Sequence, residues 1–138
     1  MAVSGVVWAV LLVARVLFGG VIAFTGIHHF QGTEEMVGYA QYKGLPAPKA
    51  GVLGSGVLLV LGGLSIVLGV FPAVGSFAVA IFLLVSALIF HDFWAVPDEE
   101  QADEMNHFLK NVALAGGALA FGVLSVTVWE PIAAVIQF

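Results

Sequence analysis

Four apolar runs, over residues 3–27, 52–70, 71–90 and 108–128, decide what this chain can fold into. Each is close to the ~20 residues that a helix needs to cross the hydrocarbon of a bilayer. The runs are continuous and do not alternate with a period of two, so they read as helices and not as strands of a barrel. Hydrophobic residues make up 61% of the 138 and charged ones 9%, where soluble domains carry about 25% charged. Four spans and two polar loops use the chain up and leave no room for a soluble catalytic domain. The expectation is all-α: an integral membrane four-helix bundle, up-and-down, as a single transmembrane domain over 1–138.

An up-and-down path brings the end of the first run, the start of the second, the end of the third and the start of the fourth to one membrane face. His28, His29, His91 and His107 all sit at those ends, with nearly all of the charge. Arg15 is the exception: at ~1.5 Å per residue it lies roughly 20 Å from His28, inside the hydrocarbon. At roughly 100° per residue, Arg15, Gly19, Ile22, Gly26 and His29 form one helical stripe, and His28 points elsewhere. Glycines beside a buried cation turn that stripe toward the bundle interior, which makes His29 the inward-facing histidine of the pair.

Composition also excludes chemistry. With no cysteine, the chain has no dithiol, no internal disulfide and no thiolate-bound iron–sulfur cluster of its own. A net charge of −5, drawn mainly from one loop, argues against nucleic-acid binding. The first run lacks a basic start, exceeds the ~7–15 apolar residues of a signal peptide and has no small-residue cleavage site after it. The 17 glycines suit close packing of membrane helices.

The polar loops have their own signals. Thr33-Glu34-Glu35-Met36 reads as a helix start with acids in its first turn. Met36, Tyr39, Ala40 and Tyr42 suit a short interfacial helix, which Gly44, Pro46 and Pro48 end. Residues 71–75 read as a tight uncharged turn. The acids after Pro97 suit the first turns of the fourth helix, and otherwise read as solvated surface.

Each polar candidate has a functional and a structural reading. Arg15 costs ~2.5 kcal/mol or more at bilayer centre; it either serves an anionic or quinone-type ligand or a proton path, or it snorkels toward Glu130. No acid matches its depth, which leaves backbone carbonyls and serines such as Ser65 as partners. The histidines can relay protons near neutral pH or simply hydrogen-bond the loops. Haem is disfavoured because the histidines lie at helix ends and not a turn inside the core. A metal is disfavoured because no ligand cluster has a metal-type spacing. Lys110 and Asn111 either line the same mouth as His107 or form, together with Asp92, a satisfied polar cap. Four-residue spacings of small residues, such as Gly51 with Ser55 and Ala118 with Gly122, are packing features that leave homo-oligomerisation open.

The ordered motifs resemble a known family. Arg15-Val16-Leu17-Phe18-Gly19 leading to Gly26-Ile27-His28-His29-Phe30 looks like the opening of DoxX-type membrane proteins. Gly44-Leu45-Pro46, Leu61-Gly62-Gly63, Leu68-Gly69, His91-Asp92-Phe93-Trp94, Phe108-Leu109-Lys110-Asn111 and Gly116-Gly117 continue the pattern. The resemblance implies a multi-pass protein of a prokaryotic cytoplasmic membrane. The family is named for the DoxD subunit of an archaeal thiosulfate:quinone oxidoreductase, and a relative is associated with a membrane oxidoreductase complex handling thiol and oxidative stress. Arg15, His29, His91, Lys110 and Asn111 stand on family motif positions, with no catalytic role assigned to them. Nothing matches the fused second domain of the larger thiosulfate-oxidising subunits, and that argues against thiosulfate oxidation by this chain alone.

The resulting expectation is a membrane-embedded subunit of a redox complex, surrounded by lipid and serving redox partner proteins. Its small-molecule or quinone site lies at the polar end and is built from Arg15, His29, His91, His107, Lys110 and Asn111. The rivals are a non-enzymatic scaffold or carrier packing through glycine-rich faces, and a small transporter, disfavoured by the lack of broken helices or paired intramembrane charges.

Lys43, Lys49 and Lys110 belong to the histidine-bearing face, and the positive-inside tendency then puts that face in the cytoplasm with both termini outside. Single cysteines at Ala102 and Ser4, probed in intact cells with a membrane-impermeant reagent, are expected to react only at Ser4. Labelling at Ala102 alone reverses the orientation.

Overall fold

The computed structural model describes residues 4–128, which fold into α1 (Gly5–Gln31), α2 (Thr33–Tyr42), α3 (Pro48–Leu68), α4 (Pro72–Phe90) and α5 (Asp98–Ser125). A short 3-10 turn over Phe93–Ala95 precedes α5. By length and composition α1, α3, α4 and α5 can each cross a membrane, as the backbone of a spanning segment must satisfy its own polar groups. Consecutive spans run antiparallel, with α1 packed on α3, α3 on α4 and α4 on α5.

The helix bounds depart from the apolar runs at two places, each with a local cause. The third span does not begin with a turn at 71–75; the turn is Gly69–Phe71, and Pro72 opens α4. Gly69 takes the left-handed conformation at φ 73°, and its N–H and that of Val70 both return to the Ser65 carbonyl, a helix end that glycine favours. Phe71 is also left-handed at φ 49°, a conformation costly for a residue with a Cβ. The Ser65 hydroxyl holds the turn, donating to the Val70 and Phe71 carbonyls at 2.7 and 3.0 Å. The fourth helix, for its part, begins at Asp98, well before its apolar run. Pro97 sets the backbone just ahead of it, and Asp98, Glu99 and Glu100 complement the N-terminal dipole. Roughly 15 Å of polar helix therefore precede the apolar part of α5.

Thr33 is the first residue of α2, but its hydroxyl does not cap α2. It donates back to the His29 and Phe30 carbonyls at the end of α1. That satisfies two of the orphan acceptors of α1 and fixes the sharp turn at Gly32.

The tightest interface is α1 on α3. A Cβ on Gly19 would lie 2.6 Å from the Gly63 carbonyl oxygen, and one on Gly26 2.8 Å from that of Gly56. The two backbones touch directly, which suits hydrocarbon, where packing contact and not the hydrophobic effect drives association. Between the helices sits a core of Ile22, Leu59, Val79, Ala80, Leu83, Ala115 and Ala118. α1 and α5 meet through side chains instead: Phe18 lies 5.1 Å from Phe121, centroid to centroid, and covers Gly117.

Arg15 is fully buried. Its Nε donates to the Ile66 carbonyl at 3.1 Å and one terminal nitrogen to that of Val67 at 2.9 Å, and its guanidinium lies 5.8 Å from the centre of the Trp8 ring. Ile66 and Val67 are in the last turn of α3, whose carbonyls have no partner within their own helix. Arg15 thus caps α3 from the neighbouring helix and meets the negative end of its dipole. Among the described residues, the backbone carbonyls open to Arg15 from sequence are found as partners; Ser65 serves the adjacent turn, and the Glu130 alternative lies outside the described residues.

Arg15→Leu is therefore expected to destabilise the bundle by about 1–3 kcal/mol for each stranded carbonyl, with Arg15→Lys recovering part of the loss. Thermal unfolding in detergent, followed by circular dichroism, checks this; an unchanged midpoint for Arg15→Leu removes the capping role.

Candidate functional site

Because α1 and α3 pack closely and α4 and α5 do likewise, while α1 and α5 are held apart by aromatic rings, a cavity of about 1390 Å³ remains among them. Its walls are mostly apolar: Leu17, Phe18, Val21 and Ile22 from α1, Leu58 and Leu59 from α3, Phe82 and Leu83 from α4, Leu114 and Phe121 from α5. Its polar groups gather at the end where His28, His29, His91, Lys110 and Asn111 lie. Met36, Tyr39 and Ala40 of α2 also line that end, so the interfacial helix forms its cover.

His29 is the best-positioned side chain there. It is 7% exposed, and its Nδ1 lies 3.1 Å from the Val52 carbonyl oxygen and 2.9 Å from the Ser55 hydroxyl. The Ser55 hydroxyl itself donates to Val52 O at 2.9 Å. A carbonyl can only accept, so Nδ1 carries the proton and Nε2 of the neutral ring is an acceptor. No described residue hydrogen-bonds Nε2, and it is not sealed from the cavity. The room for this ring against α3 comes from Gly56, where a Cβ would lie 2.9 Å from the His29 Cβ.

Asn111 faces the same space from α5. It is 7% exposed, yet its amide has no hydrogen-bond partner among the described residues. The two N–H donors and the carbonyl oxygen of this amide are open to whatever fills the cavity. Lys110 lines the rim, with Nζ 3.3 Å from His107 Nδ1. His91 also lines it; its Nδ1 pairs with Glu104 Oε2 at 2.9 Å, and its ring stacks on that of His107 at 5.1 Å.

The structure thus brings His29, His91, Lys110 and Asn111 onto one cavity. His107 stands behind His91, exposed and off the lining. Arg15 is absent from the lining and caps the far end of α3. His28 is exposed, edge-on to Phe24, at the cavity margin. Among the described residues no three His, Asp or Glu side chains come together as a metal site.

Several contributors were missed from sequence. Ser55 was visible only as a small residue spaced four from Gly51, yet it helps to orient His29. Glu104 belonged to an apparently solvated acidic run, yet it is half-buried against His91. Lys43 and Asp92, 49 positions apart, form an ion pair that ties the end of α2 to the end of α4. Tyr39 strengthens the tie by donating to the Phe90 carbonyl at 3.0 Å. Nothing local in the sequence marks these pairs.

The electrostatics favour the tie. Burial alone would lower the Lys43 ammonium, but the hydrogen bond with Asp92 and the electrostatic pull of Tyr39, Asp92 and Glu104 outweigh it and hold Lys43 above its usual value. Burial, joined by the Glu104 charge, pushes the Tyr39 hydroxyl up, so it stays a donor.

Comparison with known proteins agrees with this architecture. The DoxX family profile matches residues 10–92, more than half of the chain. The chain is also 29% identical over 117 residues to the inner membrane protein YphA of Escherichia coli (strain K12), an alignment covering 85% of this chain and 81% of that relative. No solved structure gives a significant match.

Lys43→Met is expected to cost about 1.5–3 kcal/mol at neutral pH, the range of a hydrogen bond to a charged group. A raised lysine value means that the stabilisation is complete below lysine's ordinary value and is lost as pH rises through the raised one. Thermal midpoints of the parent and Lys43→Met in increasingly alkaline detergent buffers should therefore converge; a constant gap rules out the charge-assisted tie.

Proposed function

The chain belongs to the DoxX family of membrane proteins, and from that premise we propose that it is the subunit of a membrane redox complex that holds a quinone-type amphipath at the polar end of its bundle. It is a multi-pass protein of the cytoplasmic membrane with lipid around it. One observation carries the redox reading: the unpartnered His29 Nε2 and Asn111 amide stand at the head of an apolar cavity within the membrane. A ligand with a polar ring and an apolar tail matches that division.

A quinone supplies reversible two-electron, two-proton chemistry when bound. The work of this chain is to bind, orient and move protons. Asn111 can donate to a carbonyl oxygen or accept from a hydroxyl, so it serves both oxidation states. His29, its Nδ1 fixed by Val52 and Ser55, offers Nε2 to a hydroxyl proton. The Glu104–His91 pair, at the aqueous end of the same cavity, supplies a route for protons. Electrons come from redox partner proteins, as the chain has no cysteine to hold an iron–sulfur cluster.

A scaffold reading draws on a different observation. Gly20, Gly54 and Gly116 have nothing beside them within 4 Å, leaving small-residue surface for a partner helix or a second copy. It needs no ligand.

The protein purified in mild detergent, extracted with organic solvent and read by mass spectrometry, is expected to release a lipid-soluble quinone close to one per chain. Asn111→Leu and His29→Phe, if they fold as the parent does, should lower that yield at least about tenfold, the equivalent of ~1.4 kcal/mol. No quinone in the parent extract, together with no binding of added short-tailed quinone, leaves the scaffold reading.

A further inference from the structure

The cavity is longer than any head group needs. Its polar end holds His29 and Asn111, and its other end is walled by Ala14, Phe18 and Phe121. Counting along α1 from His29 to Phe18 and along α5 from Asn111 to Phe121, at ~1.5 Å per residue, roughly 15 Å of apolar slot separate the two ends. At that depth the Phe18 and Phe121 rings meet at 5.1 Å, tilted by 47°, and Phe18 also covers Gly117, where a Cβ would lie 3.3 Å from its ring. The rings bridge the pair of helices whose backbones do not pack.

We infer that Phe18 and Phe121 form the end stop of a tail slot, so that the site accepts a single apolar chain up to that pair and turns any longer chain out between α1 and α5 into the lipid. The inference rests on the quinone reading for the head group but not for the slot. The occupant is the unbranched or prenyl tail of a single-chain amphipath whose head meets His29 and Asn111.

Three observations support it. Of the polar groups that line the cavity, His29 Nε2 and the Asn111 amide lie at one end without a protein partner, while the unpartnered hydroxyl of buried Ser76 is off the lining, so the ligand enters the slot in one orientation. Between the ends the walls are mostly apolar, through Leu114 of α5, Leu83 and Phe82 of α4 and Leu59 of α3, and the Thr25 hydroxyl among them already donates to the Val21 carbonyl. The far end is closed by two side chains and not by backbone contact. Two rings can change rotamer without moving a backbone, whereas the glycine-tight contact of α1 on α3 cannot open without parting two helices. The α1–α5 side is therefore the flexible wall, and it faces the bilayer: Leu17 and Val21, one on each side of Phe18, are 64% and 61% exposed.

Tail length has little effect on affinity in this setting, because lipid solvates a chain about as well as the slot does. Chain position is the property to read. The full-length protein in lipid nanodiscs would be photolabelled with short-tailed benzoquinones that carry a diazirine at the tail end, over a series of tail lengths. A parallel series would carry the same tails on a simple alcohol head. Labelled residues are then mapped by mass spectrometry.

Tails that span the slot should label Phe18, Gly117 or Phe121, and shorter ones residues nearer Leu114. Longer ones should label the protein several-fold less, their ends having passed into lipid. Phe18→Leu and Phe121→Leu, which keep an apolar side chain, should shift the drop to longer tails. If labelling moves past the ring pair with no drop, or never reaches it, the slot is overturned, with the quinone reading intact so long as the quinone head still protects the Asn111 end. If only the alcohol series labels the slot, the slot stands and the quinone reading fails. No labelling of the cavity by either series overturns both.

Discussion

The direct backbone contact of α1 on α3 is the interaction from which the rest of the structure follows. In hydrocarbon two helices gain nothing by hiding apolar surface from each other, so closeness has to come from small residues. Gly19 against Gly63 and Gly26 against Gly56 bring the two backbones together. That closeness lets two polar side chains of α1 reach polar groups of α3, one near each end of the interface. Arg15 meets the Ile66 and Val67 carbonyls at one end, and His29 meets Val52 and Ser55 at the other. One stripe of α1 therefore serves two purposes, anchoring the bundle and aiming a histidine.

The same contact creates the cavity. With α1 drawn onto α3 and α5 onto α4, the backbones of α1 and α5 do not pack closely, and the aromatic pair Phe18–Phe121 bridges the gap. Space remains on the polar side of that bridge. A cavity produced in this way is open to change through side chains, while its opposite wall is fixed by backbone contact. A lipid-soluble molecule meets the flexible wall from within the bilayer.

At the aqueous end, the polar side chains divide into those that hold the fold and those that are left over. Lys43 with Asp92, Tyr39 with the Phe90 carbonyl and Thr33 with the end of α1 pin the interfacial helix across the bundle. His91 with Glu104 and Lys110 with His107 are satisfied by one another. The Asn111 amide and His29 Nε2 remain without partners among the described residues. Both groups open onto the cavity and are not sealed in protein, and that access distinguishes them from the polar cap around them and from the buried Ser76 hydroxyl, which is off the lining.

The sequence by itself determined the class, the number of spans and the end at which the polar side chains gather. Run length against bilayer thickness and the even number of spans require no knowledge of how side chains meet. Helical periodicity alone also turned Arg15, Gly19, Ile22, Gly26 and His29 to one buried face and left His28 outside. Only the tertiary structure decided what each polar group touches. Arg15 was legible as buried but not as the cap of a helix 51 residues away. Glu104 was indistinguishable from its solvated neighbours, and Lys43 and Asp92 carried no local sign of each other. The start of α5 at Asp98 was hidden because a polar helix beyond the membrane leaves no apolar trace. Such partnerships depend on the depth and rotation at which helices pack, and those are set by glycine contacts between segments far apart in the chain.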